Sequence, residues 1–220
     1  GAFDRAAEFS EGAERMKGAM IRHMWQPELN RFARMATPLE DGTYRLDMTL
    51  DASAYGLFEF GALPANDPRV VAHMEAIRDR LWVKTEIGGL ARYENDYYHQ
   101  IEHQNVDEIP GNPWIICTLW LALWHIAKAT TTEELAEALP YLEWTQARAL
   151  PSGVLAEQVN PYDGNPISVS PLTWSHATVV TTITEYLLKH AELTGRSSGC
   201  IAELAMSRKG RGPSPSSETD

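Results

Sequence analysis

Apolar positions recur at helical spacing along most of this chain, and the pattern changes character from one segment to the next. Residues 2–25 put Phe3, Ala6, Ala13, Met16, Met20 and Met24 near one face with Glu and Arg between them. That predicts an amphipathic helix, ended by Pro27. The segments RFARMA (31–36) and TYRLDM (43–48) flank Leu39-Glu40-Asp41-Gly42, a turn signal, and predict a short β-hairpin. TLDASAYGLFEF (49–60) reads as a short, largely apolar helix. DPRVVAHMEAIRDRLW (67–82) opens on Asp67 as N-cap and Pro68 at the first position, and sets Val71, Met74, Ile77 and Leu81 on one face. PWIICTLWLALWHIAKA (113–129) is apolar on nearly every side, which predicts a helix buried all round. Residues 132–148 are amphipathic again, with Thr132 as N-cap, and 173–192 form another mostly apolar helix.

Amphipathic helices (2–25, 67–82, 132–148) thus alternate with more fully apolar ones (49–60, 113–129, 173–192). Alternation of this kind predicts two layers, an inner one buried on all sides and an outer one with a wet face. The expected fold class is all-α, an α/α toroid carrying a small β-hairpin insertion. Six helices make about half of a closed double ring. The long loops 83–112 and 151–172 each precede an inner helix, so they should gather at one end, where a rigid scaffold usually carries function. Residues 194–220 are rich in Ser, Gly, Pro and Arg and read as a disordered tail.

Composition narrows the function. A chain of 220 residues is long enough for one domain with a sizeable core. Its formal net charge of −11 argues against nucleic acid and against anionic membrane surfaces. No apolar run reaches the ~20 residues of a membrane span. Cys117 lies in an apolar run and Cys200 in the polar tail; with no Cys-x-x-Cys and no His-Glu-x-x-His, nothing implies a metal or a cofactor. His99, His103, His125 and His176 have no ligand spacing. GAFDRAAEF lacks the charged head and apolar body of a signal peptide and already follows a helical pattern, so it reads as the middle of something longer.

Two constellations can carry chemistry. Glu157 lies in SGVLAEQVNPYDG (152–164), a loop whose Gly153, Asn160, Pro161 and Gly164 fix tight turns. A carboxylate held rigidly at the mouth of an inner ring can act as a general base on water, and Gln158 beside it can hold a neighbour or a substrate hydroxyl. The plain alternative is a solvated loop glutamate. The second group is Arg92, Tyr93, Glu94, Asp96, Tyr97 and Tyr98. A guanidinium fork with paired carboxylates can grip the vicinal hydroxyls of a sugar, and aromatic rings can stack on its apolar face; the plain alternative is a surface ion-pair cluster. Among the tryptophans, Trp120 and Trp124 read as core. Trp114 and Trp174, at helix starts beside the loops, are the better stacking platforms.

Taken together, "GGLARYENDYY", "GNPWIICTLW", "SGVLAEQVNP" and "SPLTWSHA", in that order, resemble the C-terminal half of a family 15 glycoside hydrolase, the glucoamylase and glucodextranase family. The resemblance covers about residues 49–192 and extends more loosely from residue 2. It implies an (α/α)6 barrel, of which residues 1–193 would be the C-terminal part. It also implies removal of glucose from the non-reducing ends of α-glucans with inversion at the anomeric carbon. By the same resemblance Glu157, in Ala156-Glu157-Gln158, is the general base. Arg92 and Tyr93 of the Arg-Tyr segment bind the sugar, and the carboxylate after them is matched best by Asp96, less well by Glu94. Trp114 lines the cleft, and Trp174 supports the base.

The family's general acid is a glutamate in a Trp-Glu pair, and no Trp-Glu occurs in this chain. The expected partner is an α-linked glucan or a glucose disaccharide, and the chain is expected to be a fragment that is inactive alone. Two other readings stay open: a non-catalytic sugar-binding module on the same toroid, and a parent enzyme that cleaves trehalose or dextran.

Overall fold

The computed structural model describes residues 2–101 and 105–196. Cys200, His103 and nearly all of the expected tail lie outside the described residues. Helix α1 (Ala2–His23) leads into a minimal antiparallel pair, β1 (Trp25–Gln26) with β2 (Arg31–Phe32), and then a hairpin, β3 (Met35–Pro38) with β4 (Tyr44–Asp47). The expected hairpin is therefore real around Leu39–Gly42, but residues 31–32 pair backwards with 25–26 instead of extending β3. The apolar stretch 49–60 is not one helix. Leu50 and Asp51 stay extended against Tyr93, and a 3-10 turn (Ala52–Tyr55), capped by Asp51, runs into the single turn α2 (Gly56–Glu59).

Helix α3 (Pro68–Leu81) starts as expected, the Asp67 carboxylate accepting from Arg69 N–H with Pro68 following. Val70, His73, Met74, Ile77 and Leu81 are its buried face; Val71 is half-buried. Helix α4 (Ile115–Lys128) is the hub: every residue from Ile115 to Ile126 is buried. It packs chiefly on α7 (Thr173–Thr194) and α6 (Leu139–Ala147), and also on α3, α5 (Thr132–Ala136) and the 3-10 turn. The amphipathic stretch 132–148 is split because Pro140 has no N–H to give to the residue four back, so α5 closes and α6 restarts with Pro140 in its first turn. The N-cap of α5 is Thr131, not Thr132: its extended backbone aims the hydroxyl at Glu134 N–H, 3.1 Å away.

The layering is that of a partial all-α toroid, but besides 49–60 a second expected inner helix, α7, departs from expectation. The buried residues of α7 are Ser175, Thr178 and Thr182, whose hydroxyls return to main-chain carbonyls and let α7 lie close to α4. Val179, Tyr186 and Leu193 pack partly against the core, but three of its apolar residues face out, Val180 66% exposed, Ile183 44% and Leu187 41%. An apolar stripe of that size in water favours association. At tens of micromolar the chain should self-associate in light scattering, and Val180→Glu with Ile183→Glu should return it toward a monomer.

His73 is buried and its Nδ1 accepts from Phe32 N–H at 3.2 Å, so the ring is held neutral. Burial, with the Arg31 charge nearby, lowers it from 6.5 to about 4. Between those values the unfolded chain takes up a proton that the folded chain refuses. The stabilisation is therefore complete above 6.5 and is lost as pH falls toward 4. Urea midpoints should drop from about pH 7 to about pH 5, by up to ~1.4 kcal/mol per unit from this group, and His73→Gln should flatten that slope.

Candidate active site

Three loops meet over the N-terminus of α4, tied by a row of single backbone bridges. Asp51 bridges Tyr93, Ala91 bridges Pro113, Trp114 bridges Gln158, and β5 (Gln158–Val159) pairs with β6 (Pro166–Ile167). The row includes Ala52 N–H to Arg92 O (2.8 Å), Trp114 N–H to Leu90 O (2.9 Å), Val159 N–H to Pro113 O (3.0 Å) and Ile115 N–H to Glu157 O (3.2 Å). Arg92, Trp114 and Glu157, far apart in sequence, thereby sit on adjacent strands of one irregular surface. Two glycines permit the approach. A Cβ on Gly89 (φ +89°) would collide with the Trp144 ring and Pro113, and one on Gly111 would lie 2.8 Å from Asp96 Cβ.

Arg92 and Asp96 form a bidentate ion pair, Nε and Nη2 each 2.9 Å from a carboxylate oxygen. Asp96 is 2% exposed, and Tyr98 N–H also donates to its Oδ1. The guanidinium lies over three rings, with Trp114 at 4.6 Å, Tyr93 at 4.8 Å and Tyr98 at 5.3 Å. Arg92 is thus fixed by one carboxylate and three rings, and its charge stays partly open to solvent. The two carboxylates diverge across Asn95, whose φ is +61°, a conformation asparagine tolerates. Asp96 turns toward Arg92. Glu94 turns away, accepting from Leu50 N–H at 2.9 Å and from Arg80.

Glu157 is half-buried, its backbone held on both sides by Val169 and Ile115. Its Oε2 accepts from Gln158 Nε2 at 3.1 Å and from the Ser168 hydroxyl. Ser168 has a left-handed φ of +64°, unusual for a residue with a Cβ. Gln158 is fully buried and its Oε1 accepts from Asn112 Nδ2 at 3.0 Å. The loop is anchored from α7: Leu172 N–H reaches Leu155 O, the Ser175 hydroxyl reaches Ala156 O, and His176 Nε2 accepts from Leu155 N–H.

Arg92, Tyr93, Asp96 and Trp114 are therefore brought into one cluster, and Glu157 lies on the neighbouring bridged segment, its carboxylate held by Gln158 and Ser168. Trp174 stands apart, 52% exposed, with its ring 5.9 Å from Trp120, which in turn stacks on Tyr55 at 4.1 Å. The hydrogen bonds that hold the Glu157 loop come from its neighbours Leu172, Ser175 and His176. Trp114 is 4% exposed beneath Arg92, whereas Tyr98 and Trp174 present open ring surface. Asn112, Ser168, Ser175 and His176 were not picked out by sequence reasoning for these roles; Asn112 adjoins the Pro-Trp pair and was the one within reach. Among the described residues no group of three or more His, Cys, Asp or Glu side chains could hold a metal ion. His125 is engaged by Glu137 (2.9 Å) and Tyr141, and burial pushes the Cys117 thiol well up, which keeps it neutral.

The model of glycosyl hydrolases family 15 matches residues 30–184. An uncharacterized glycosyl hydrolase from Methanocaldococcus jannaschii is 28% identical over 184 residues, 79% of this chain and 27% of that protein. Among solved structures, a bacterial glucoamylase complexed with acarbose superposes with a TM-score of 0.65 at 21% identity, covering 82% of this chain and 29% of the other. A second structure, described as a wild-type glycosidase, gives 0.62 at 20% identity over 82% and 44%. The chain spans less than half the length of each of these relatives.

Replacing Asp96 by Asn keeps the shape but turns one acceptor of Arg92 into a donor. With Asp96 buried and Arg92 about one-third exposed, the loss should be about 2–3 kcal/mol, read as a lower urea midpoint.

Proposed function

Since this chain belongs to glycosyl hydrolase family 15, we propose that it carries the water-activating side of an inverting, exo-acting α-glucoside hydrolase that releases glucose from the non-reducing ends of α-glucans. The observation that carries this reading is the setting of Glu157: a carboxylate fixed at a loop end by the Gln158 and Ser168 donors, on a segment bridged through Trp114 and Pro113 to the one that carries Arg92. In this role Glu157 takes a proton from water as the water attacks the anomeric carbon. Arg92 donates to hydroxyls of the terminal glucose. Asp96 fixes the orientation of Arg92, with Tyr93 and Trp114 flanking it. Tyr98 and Trp174 offer the open aromatic surface for the sugar's apolar face. The glucoamylase of similar fold was captured with acarbose, which supports an oligosaccharide-like ligand here.

Inversion requires a second carboxyl group about 6.5–9.5 Å from the base, to protonate the leaving oxygen. Asp96 gives both oxygens to Arg92, and Glu94 is engaged by Leu50 and Arg80, so neither fills that role. The acid is supplied from outside these loops. The same fact favours a second reading, a sugar-binding module that does not hydrolyse. Its mark is saturable binding of maltooligosaccharides without glucose release.

A substrate whose leaving group needs no proton separates these readings. With α-D-glucosyl fluoride, the chain should release fluoride above the spontaneous rate, and Glu157→Gln should lower kcat by about 10²-fold or more with KM little changed. Equal rates in the two proteins would sink the assignment. Inhibition of that reaction by maltose, isomaltose and trehalose, ranked by affinity, reads out whether starch-, dextran- or trehalose-type linkages fit.

A further inference from the structure

We propose that Asn112 is a positioning residue that sets the polarity of the contact on Glu157, acting through Gln158. This rests on Glu157 being the base, but its first test does not.

Asn112 is 1% exposed. Its Nδ2 donates to two acceptors, the main-chain carbonyl of His99 at 2.8 Å and Gln158 Oε1 at 3.0 Å. A main-chain carbonyl can only accept, so the first of these bonds fixes which end of the Asn112 amide is nitrogen. The alternative orientation would set Asn112 Oδ1 against the His99 oxygen. The observed one is kept although Oδ1 is left buried without a partner. Once Asn112 presents nitrogen, the fully buried Gln158 must present Oε1 to it, and its Nε2 must then face Glu157, 3.1 Å from Oε2. One carbonyl on the 97–100 segment thus decides, across two amides, that the base receives a donor. The Ser168 hydroxyl delivers the second donor to the same oxygen. An ionised Glu157 can only accept and so favours the same orientation of Gln158, while Asn112 fixes the far end of that amide.

The ionisable groups on the surrounding segments include Arg92 and Asp96, paired to each other, Asp51, Tyr93, Glu94, Tyr97, Tyr98, His99, Tyr162, Asp163 on the β5–β6 turn, and His176, which accepts from Leu155 N–H. Among the described residues, none of them hydrogen-bonds to the Glu157 carboxylate. The two side chains that do are Gln158 and Ser168.

Asn112→Asp tests the chain of bonds. At pH 8 the carboxylate introduced at position 112 can only accept, so Gln158 must turn its Nε2 toward it and its oxygen toward Glu157. In Glu157→Gln, the amide introduced at position 157 can itself donate to that oxygen. Asn112→Asp should therefore lower Tm by about 5 °C or more in the natural background and by less than half as much in the Glu157→Gln background. Equal losses in both backgrounds would overturn the proposal, because positions 112 and 157 would then be uncoupled. If Asn112→Asp does not fold, Asn112→Ala serves. Releasing Gln158 should lower kcat on α-D-glucosyl fluoride about 10-fold with KM unchanged. An unchanged kcat, or a KM change alone, would overturn the proposal as well. The stability cycle reports the relay even if no fluoride is released, so failure of the relay and failure of the hydrolase reading are distinguishable.

Discussion

The site depends on a row of backbone hydrogen bonds that no regular sheet would supply. Residues 50–52, 90–94, 113–114 and 157–159 lie side by side, joined by single bridges, and the row rests on the N-terminal end of α4. Each bond contributes about 0.5–1.5 kcal/mol. Their combined effect is geometric: they turn three separate loops into one surface. The row is possible because α4 is apolar all round and must be wrapped, which fixes where the loops before and after it can run. Thr118 joins the two levels, its hydroxyl accepting from Leu90 N–H and donating to Trp114 O.

On that surface, polar groups are held by neighbours that leave them little choice. Asp96 is buried and bidentate to Arg92; Arg92 is boxed by three rings; Glu157 receives two donors. Under the proposed reading, a pre-oriented carboxylate and a fixed cation would avoid reorganisation at the moment of reaction, the condition under which electrostatic groups accelerate chemistry most. The net charge of −11 places no long-range attraction for anions around the site.

Much of this was legible in the chain. Periodicity located α1, α3, α4 and α7; burial imposes it directly in α3 and α4, whereas Phe3, Phe9 and Met16 of α1 are exposed, and the Asp67-Pro68 start of α3 was readable from its chemistry. The loops 83–112 and 151–172 stood out because they lack periodicity and carry aromatics and charges, and the structure brings segments of both together over the N-terminus of α4. Failures came where one residue overrides a pattern: Pro140 divides 132–148, and the pairing of Asp51 with Tyr93 keeps 49–51 extended. The face of α7 misled because its buried side is Ser and Thr, which looks like the wet side of a helix. Ser168 was not legible as a partner of Glu157, which it meets through a left-handed backbone, and Asn112, though beside the Pro-Trp pair, was not picked out as the partner of Gln158, which it meets across the loop row.

The central claim is that Glu157 activates water and does not itself attack the sugar. The anomeric form of the first-formed glucose reports this directly. Proton NMR during the first minutes of α-D-glucosyl fluoride hydrolysis, before mutarotation, should show β-glucose, the product of a single inverting displacement. α-Glucose as the first product would mean two displacements through a covalent intermediate, and would contradict the account.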